Sequence, residues 1–288
     1  MNTIVSKLPR RSFFAMLPAL LTACSGADLL NATVPTDTYE ASAGLVYGPE
    51  PRQRLDVYRP AGVADAPMVV FFYGGSWSSG ERADYRFVGE ALASRGIVTV
   101  IADYRLSPAV RYPLFVQDSA RALRWAFDHA ADHGADAARV FVMGHSAGAY
   151  NAAMLALDPR WLAAEGLTPA RLAGWIGLAG PYDFLPIGDP KTRLAFNWPE
   201  TPADSQPLAH ASRASPPALL LAASDDKVVN PQRSTVAMAG RLKASGVRVE
   251  SALYDGVSHV TLLASMASVL RGRAPVLQRV SGFVRSGG

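Results

Sequence analysis

The chain has 288 residues, one cysteine and a formal net charge of +4, from 28 Lys+Arg against 24 Asp+Glu. With 49% hydrophobic and 18% charged residues it has globular composition, which excludes disorder and collagen-like fibres. One Cys excludes an internal disulfide or a multi-thiolate metal site, and so small a net charge gives no argument for a nucleic-acid partner.

Residues 1–23 read as an export signal. Lys7, Arg10 and Arg11 form a basic start without an acid. An apolar run from Phe13 to Leu21 follows, broken only by Pro18, and small residues lead out of it to Cys24. The run is too short to span a bilayer, which needs roughly 20 apolar residues. Leu21-Thr22-Ala23-Cys24 resembles the bacterial lipobox, in which the Cys becomes the lipidated mature N-terminus, and several acyl chains on one residue anchor stably. The alternative is a plain secretory signal with Cys24 incidental. Arg10-Arg11-Ser12-Phe13-Phe14 also resembles a twin-arginine export signal. The location this implies is the periplasmic side of a bacterial membrane, with the membrane met only through the anchor, or else the periplasm or medium. Ser25, where a retention signal would carry Asp, favours the outer membrane.

Residues 24–44 are expected to be an anchor-proximal linker and 45–288 the folded domain. Leu55 to Tyr58 alternates like a half-buried strand and stops at Pro60. Met68 to Tyr73 is a continuous apolar run of the kind that suits a strand covered on both faces. A helix is expected over Ala83–Arg95 and a strand over Ile97–Ile101. From Leu114 to Asp132, Val116, Ala120, Leu123 and Phe127 recur at helical spacing, with Pro113 starting the helix and Gly134 ending it. Val140–Met143 reads as a strand and Ala147–Leu157 as a helix of small residues. Further strands are expected at Ala173–Leu178, Ala218–Ala222 and Val247–Leu253, and helices at Pro231–Ala244, Thr261–Arg271 and Pro275–Val284. Strand alternating with helix predicts a mostly parallel sheet with helices on both faces. Residues 181–217 break this rhythm, holding eight of the 21 prolines. They are expected to be an irregular, lid-like insertion.

Gly144-His145-Ser146-Ala147-Gly148 lies between a short apolar strand and a small-residue helix, the context of a nucleophile elbow. The sharp reversal needs Gly on both flanks, and the helix N-terminus favours developing negative charge. A Ser hydroxyl needs a base. Of the five histidines, His129 and His133 read as solvent-facing helix residues. His145 should point away from the hydroxyl, and His210 lies in the irregular stretch. His259 follows a late strand, where a parallel sheet gathers its active site, so it is the expected base. The acid that orients it should follow the strand at 218–222. Asp226 is the first choice, Asp225 its neighbour and alternative, and Asp183 and Asp255 weaker rivals. Oxyanion donors are expected from the N–H of Ala147 and from the loop Tyr73-Gly74-Gly75-Ser76-Trp77.

Together these residues resemble the α/β-hydrolase superfamily, and within it the carboxylesterase, feruloyl-esterase-like and arylformamidase-like branch with an H-G-G-G-type oxyanion loop. Leu55-Asp56-Val57-Tyr58-Arg59-Pro60, Gly74-Gly75-Ser76-Trp77, Asp103-Tyr104-Arg105-Leu106-Ser107-Pro108, Asp118 and the elbow carry the resemblance, over about residues 45–285. It implies an α/β-hydrolase fold and a serine hydrolase that cleaves a small carboxylic ester through an acyl-enzyme on Ser146, His259 and Asp226. The donors would be Gly75, Ser76 and Ala147, with no metal or organic cofactor. The sequence departs from the family at Tyr73, where the leading His would stand, at Ser76 in place of the third Gly, and at Ala222-Ala223 in place of a His-Gly. Trp77, Phe184 and Trp198 are candidate walls for an apolar acyl or aryl group. The same triad also suits an aryl formamide, a thioester or a short peptide. A reading of another class is a membrane-anchored, non-catalytic binding protein on the same fold.

Overall fold

The structure, a computed structural model, describes residues 26–288. The expectations for the export signal and for Cys24 lie outside the described residues. Eight strands form one sheet: β1 Tyr39–Val46, β2 Arg54–Pro60, β3 Ala66–Phe72, β4 Val98–Ala102, β5 Ala135–His145, β6 Gly174–Leu178, β7 Ala218–Ala223 and β8 Val249–Tyr254. The order across the sheet is β1-β2-β4-β3-β5-β6-β7-β8. β2 runs antiparallel to both β1 and β4, and every pair from β4 to β8 is parallel. The helices are α1 Gly26–Ala32, α2 Arg86–Ala93, α3 Leu114–Asp128, α4 Ala147–Leu157, α5 Pro159–Ala163, α6 Pro190–Ala195, α7 Ala237–Ala244, α8 His259–Ala264 and α9 Val276–Arg285.

The apolar runs become the interior. Every residue of β3, β4, β6 and β7 is buried, because helices cover both faces of the parallel part. α4 is buried all round. Its Ala and Gly residues let it lie close on the sheet, as a helix apolar on every side must. α2 is buried at every residue but Arg86, whereas α3 and α9 bury one stripe each and leave the other to solvent.

The segment expected as a linker is part of the fold. α1 is latched to the body through Asn31, whose Nδ2 donates to Ala83 O at 2.8 Å while its Oδ1 accepts from Phe87 N at 3.1 Å. β1 pairs with β2 from Tyr39↔Pro60 to Val46↔Arg54. It is an edge strand with mostly exposed side chains, so it carries no apolar alternation to read. Several helices are shorter than their periodicity suggests. α3 stops at Asp128 and a 3-10 turn, Ala131–His133, closes on Gly134 at φ +70°. The expected helix at 83–95 begins as a 3-10 turn, and the one at 231–244 begins as a π turn over Gln232–Val236. The irregular stretch at 181–217 holds α6 and two 3-10 turns, and is fastened inward by the fully buried Tyr182, Ala195 and Phe196.

Candidate active site

β5 delivers the elbow. Ser146 stands at φ +54°, ψ −122°, as the N-cap of α4, in the left-handed region that non-glycine residues enter at a cost and mostly at functional sites. Strand and helix touch backbone to backbone around it. A Cβ on Gly148 would fall 2.0 Å from Phe72 O, and one on Gly144 2.1 Å from Gly148 O. The flanking glycines are therefore dictated by close approach. Ser146 N donates to Leu178 O at 2.9 Å, which ties the elbow to the end of β6.

His259 opens α8. Ser258 caps that helix reciprocally with Thr261, and this fixes where the imidazole starts. His259 Nδ1 meets Asp226 Oδ2 at 2.7 Å, with both side chains buried. A carboxylate only accepts, so Nδ1 carries a proton, which in the neutral ring leaves the lone pair on Nε2. Asp226 Oδ1 accepts from Val228 N at 2.8 Å and Val229 N at 3.0 Å. Burial alone would raise its pKa, but the His259 bond and the two backbone bonds outweigh burial and hold it below the usual carboxylate range.

The other acids go elsewhere. Asp225 is 78% exposed at its side chain and pairs with Lys227. Asp183 binds Arg233 at 3.0 Å, and Asp255 accepts from Ser224 Oγ.

His145 has a role that its place in the elbow pattern does not reveal. Its ring is buried and its Nε2 lies 2.9 Å from His259 O. The carbonyl can only accept, so Nε2–H donates and braces the backbone of the candidate base. Burial, then the neighbouring His259, pushes its pKa down to about 3, so it is a neutral donor at ordinary pH.

The loop after β3 carries three consecutive positive φ angles: Gly75 at +117°, Ser76 at +50° and Trp77 at +54°. A hydroxyl-rich network pins this conformation. Tyr104 Oη donates to Tyr73 O at 2.7 Å, and Tyr73 Oη donates to Asp103 Oδ1 at 2.7 Å. Arg52 Nη2 donates to both Tyr73 Oη and Gly80 O at 2.8 Å, and Arg82 binds Asp103. The Tyr73 ring is stacked between Tyr85 and Tyr104, with centroids 5.2 and 4.9 Å away. The tyrosine that replaces the family's His is thus the anchor of the loop. Only the Asp103-Tyr104-Arg105 match pointed to this network.

Two cavities meet at Ser146. The larger, about 590 Å³, is bordered by Gly75, Ser76, His259 and the apolar side chains of Leu30, Phe87 and Leu263. The smaller, about 360 Å³, is bordered by Ser76, Ala147, Phe184, Asp189 and Thr192. Ser146, Ser76 and Val228 belong to both. Phe184 and Trp77 border the smaller cavity, but Trp77 is almost wholly buried. Its Nε1 donates to Asn151 Oδ1 at 3.0 Å, and its ring packs among Phe115, Tyr150, Phe184 and Phe196. Trp198 packs on the core and borders neither cavity. Among the described residues no group of three or more His, Cys, Asp or Glu is placed to hold a metal.

A mostly parallel sheet with a serine at a strand–elbow–helix turn and a late His–Asp pair is the arrangement of an α/β hydrolase. The family model BD-FAE matches residues 55–240, and the chain belongs to that family, in the carboxylesterase branch of the superfamily. It is 30% identical to Esterase LipC of Mycobacterium tuberculosis, over 69% of this chain and 54% of that protein. It is 29% identical to a probable isoprenylcysteine alpha-carbonyl methylesterase of Arabidopsis thaliana, over 76% of this chain and 50% of that one. The chain thus spans about half the length of these curated relatives. Its fold is shared with the carboxylesterase EstE1 from a metagenomic library, at TM-score 0.72 and 24% identity, covering 91% of this chain and 93% of that one. It is also shared with Esterase B of Lactobacillus rhamnosis, at TM-score 0.75 and 20% identity, covering 90% and 92%.

Proposed function

We propose that the protein is a serine carboxylesterase. The observation that carries this reading is His259, bound to Asp226 at 2.7 Å and bordering the same cavity as Ser146. Ser146 Oγ attacks the ester carbonyl while His259 Nε2 takes its proton. Asp226 holds the imidazole in that tautomer and stabilises its cation. The N–H groups of Gly75, Ser76 and Ala147 receive the oxyanion, in a loop already fixed before substrate arrives. His259 then protonates the leaving alkoxide, and water cleaves the acyl-enzyme through the same base.

His259 borders the larger, apolar cavity. The leaving oxygen must lie beside the group that protonates it, so the alcohol part belongs there and a short acyl group in the smaller cavity. The relatives named methylesterases favour a second reading, with the bulky group on the acyl side and methanol leaving. Two ester series separate them, one lengthening the alcohol and one the acyl chain. Under the first reading kcat/KM rises with the alcohol and falls with the acyl chain. The central test is burst kinetics with an activated acetyl ester. Ser146→Ala should lose the burst and at least about 10³-fold in kcat. Undiminished turnover would remove the assignment. No turnover by the unmodified protein, with ligand binding retained, would support the non-catalytic alternative.

The export signal and lipidation at Cys24 belong to the same proposal and rest on the residue pattern alone. Mass spectrometry of the mature N-terminus tests them, because a diacylglyceryl-modified Cys24 is expected.

A further inference from the structure

The four most exposed large apolar side chains among the described residues are Val228 (68%), Val260 (66%), Leu29 (62%) and Val269 (61%). They come from separate parts of the chain and gather at one place. Val228 and Val260 border the 590 Å³ cavity themselves. Leu29 precedes Leu30, and Val269 precedes Leu270, and both of those border it. Ser268 Oγ donates to Thr33 O at 3.3 Å, so the turn at Ser268–Leu270 lies beside the end of α1. The wall formed by α1 is built in, through the Asn31 bonds to Ala83 and Phe87.

Apolar side chains scattered singly over a surface are ordinary, whereas a cluster around a cavity marks an interaction surface. Two cations beside α1 and the cavity are engaged within the protein: Arg86 donates to Asn31 O and Arg271 to Glu90. Attraction here is therefore chiefly apolar. Gly26, which borders the cavity, stands two positions after Cys24 in the chain, a reach of at most about 7 Å. A lipid on that residue would bring a bilayer directly against this rim.

From this we infer that the rim is a membrane-docking surface. Leu29, Val228, Val260 and Val269 enter the outer layer of a bilayer, and the mouth of the larger cavity opens toward lipid. The substrate is then an ester whose apolar alcohol part is dissolved in the membrane and passes into the cavity without crossing water. Docking stands on the rim itself, while the substrate class rests on the esterase reading above.

The exported chain carrying Cys24→Ser separates the rim from the anchor. Flotation with phosphatidylcholine vesicles should find it bound. Adding Leu29→Ser and Val269→Ser, at positions that leave the catalytic groups untouched, should weaken partition about tenfold. Hydrolysis of decyl acetate dissolved in the vesicles should fall in parallel. Turnover of a water-soluble acetyl ester and the melting temperature should stay unchanged. Equal partition of the two chains, or no vesicle binding by the Cys24→Ser chain, would overturn the inference. A concentration-dependent dimer abolished by the same two substitutions would also overturn it, by placing a second copy on the rim. Ser146→Ala should still float with vesicles. If neither ester is hydrolysed while vesicle binding persists, the esterase reading falls and docking stands.

Discussion

Asp225 and Asp226 are adjacent in sequence and opposite in environment. Asp226 receives three hydrogen bonds and is buried, while Asp225 faces water beside Lys227. Asp226→Asn would present an amide to His259 Nδ1 and favour the wrong tautomer, so kcat should fall about 10³–10⁴-fold. Asp225→Asn removes only a solvent-screened pair and should leave kcat within about twofold. Steady-state kinetics on one ester checks both. His145 makes a second prediction at this scale. Its pKa is lowered by burial, from an ordinary 6.5 to about 3, so below pH 6.5 the unfolded chain binds a proton that the native state refuses. Stability is then lost as pH falls from about 6.5 toward 3, by about 1.4 kcal/mol per pH unit. Urea unfolding at pH 7.5 and pH 5 should differ by about 2 kcal/mol from this residue, and His145→Gln should flatten that difference.

At the scale of elements, the elbow and the loop after β3 are positions of strain held by their surroundings. The contact of α4 with β3 leaves no room at Gly148, whose added Cβ would lie 2.0 Å from Phe72 O and 2.4 Å from Phe72 C. Backbone cannot yield as a flexible side chain would, so Gly148→Ala should cost about 3 kcal/mol or more, read as a fall in melting temperature. The loop after β3, proposed to hold the oxyanion, depends on Tyr73. Tyr73→Phe keeps the stacked ring between Tyr85 and Tyr104 and deletes the bonds to Asp103 and Arg52. Stability should fall by about 1–2 kcal/mol. kcat should fall about tenfold through looser donor placement while KM changes little. Equal losses in KM and stability with kcat intact would show that the network supports folding alone.

At the scale of the whole molecule, the site is where distant segments converge: the ends of β3, β5, β7 and β8, together with α1. The sequence by itself determined the alternation of strand and helix, the parallel core and the elbow, because these are written in local periodicity and in a spacing that sterics impose. It pointed to His259 through chain order, since the loop after a late strand must end at the same sheet edge as the elbow. The edge strand β1 left no periodic trace, since backbone pairing with β2 forms it and its side chains face water. Helix ends such as Asp128 and Ala264 were set by turns and packing that override propensity. Three things were decided by tertiary structure alone. Asp226 was separated from Asp225 by which carboxylate the chain turns inward. Tyr73 became a loop anchor because Arg52 and Asp103, far away in sequence, converge on its hydroxyl. The segment at 26–44, expected as a tether, became a cavity wall and most of a sheet edge because its partners lie 50 or more residues away for Asn31, and on the neighbouring strand for β1. Local pattern encodes which residue types can form a site. Only long-range packing selects which of them face one another.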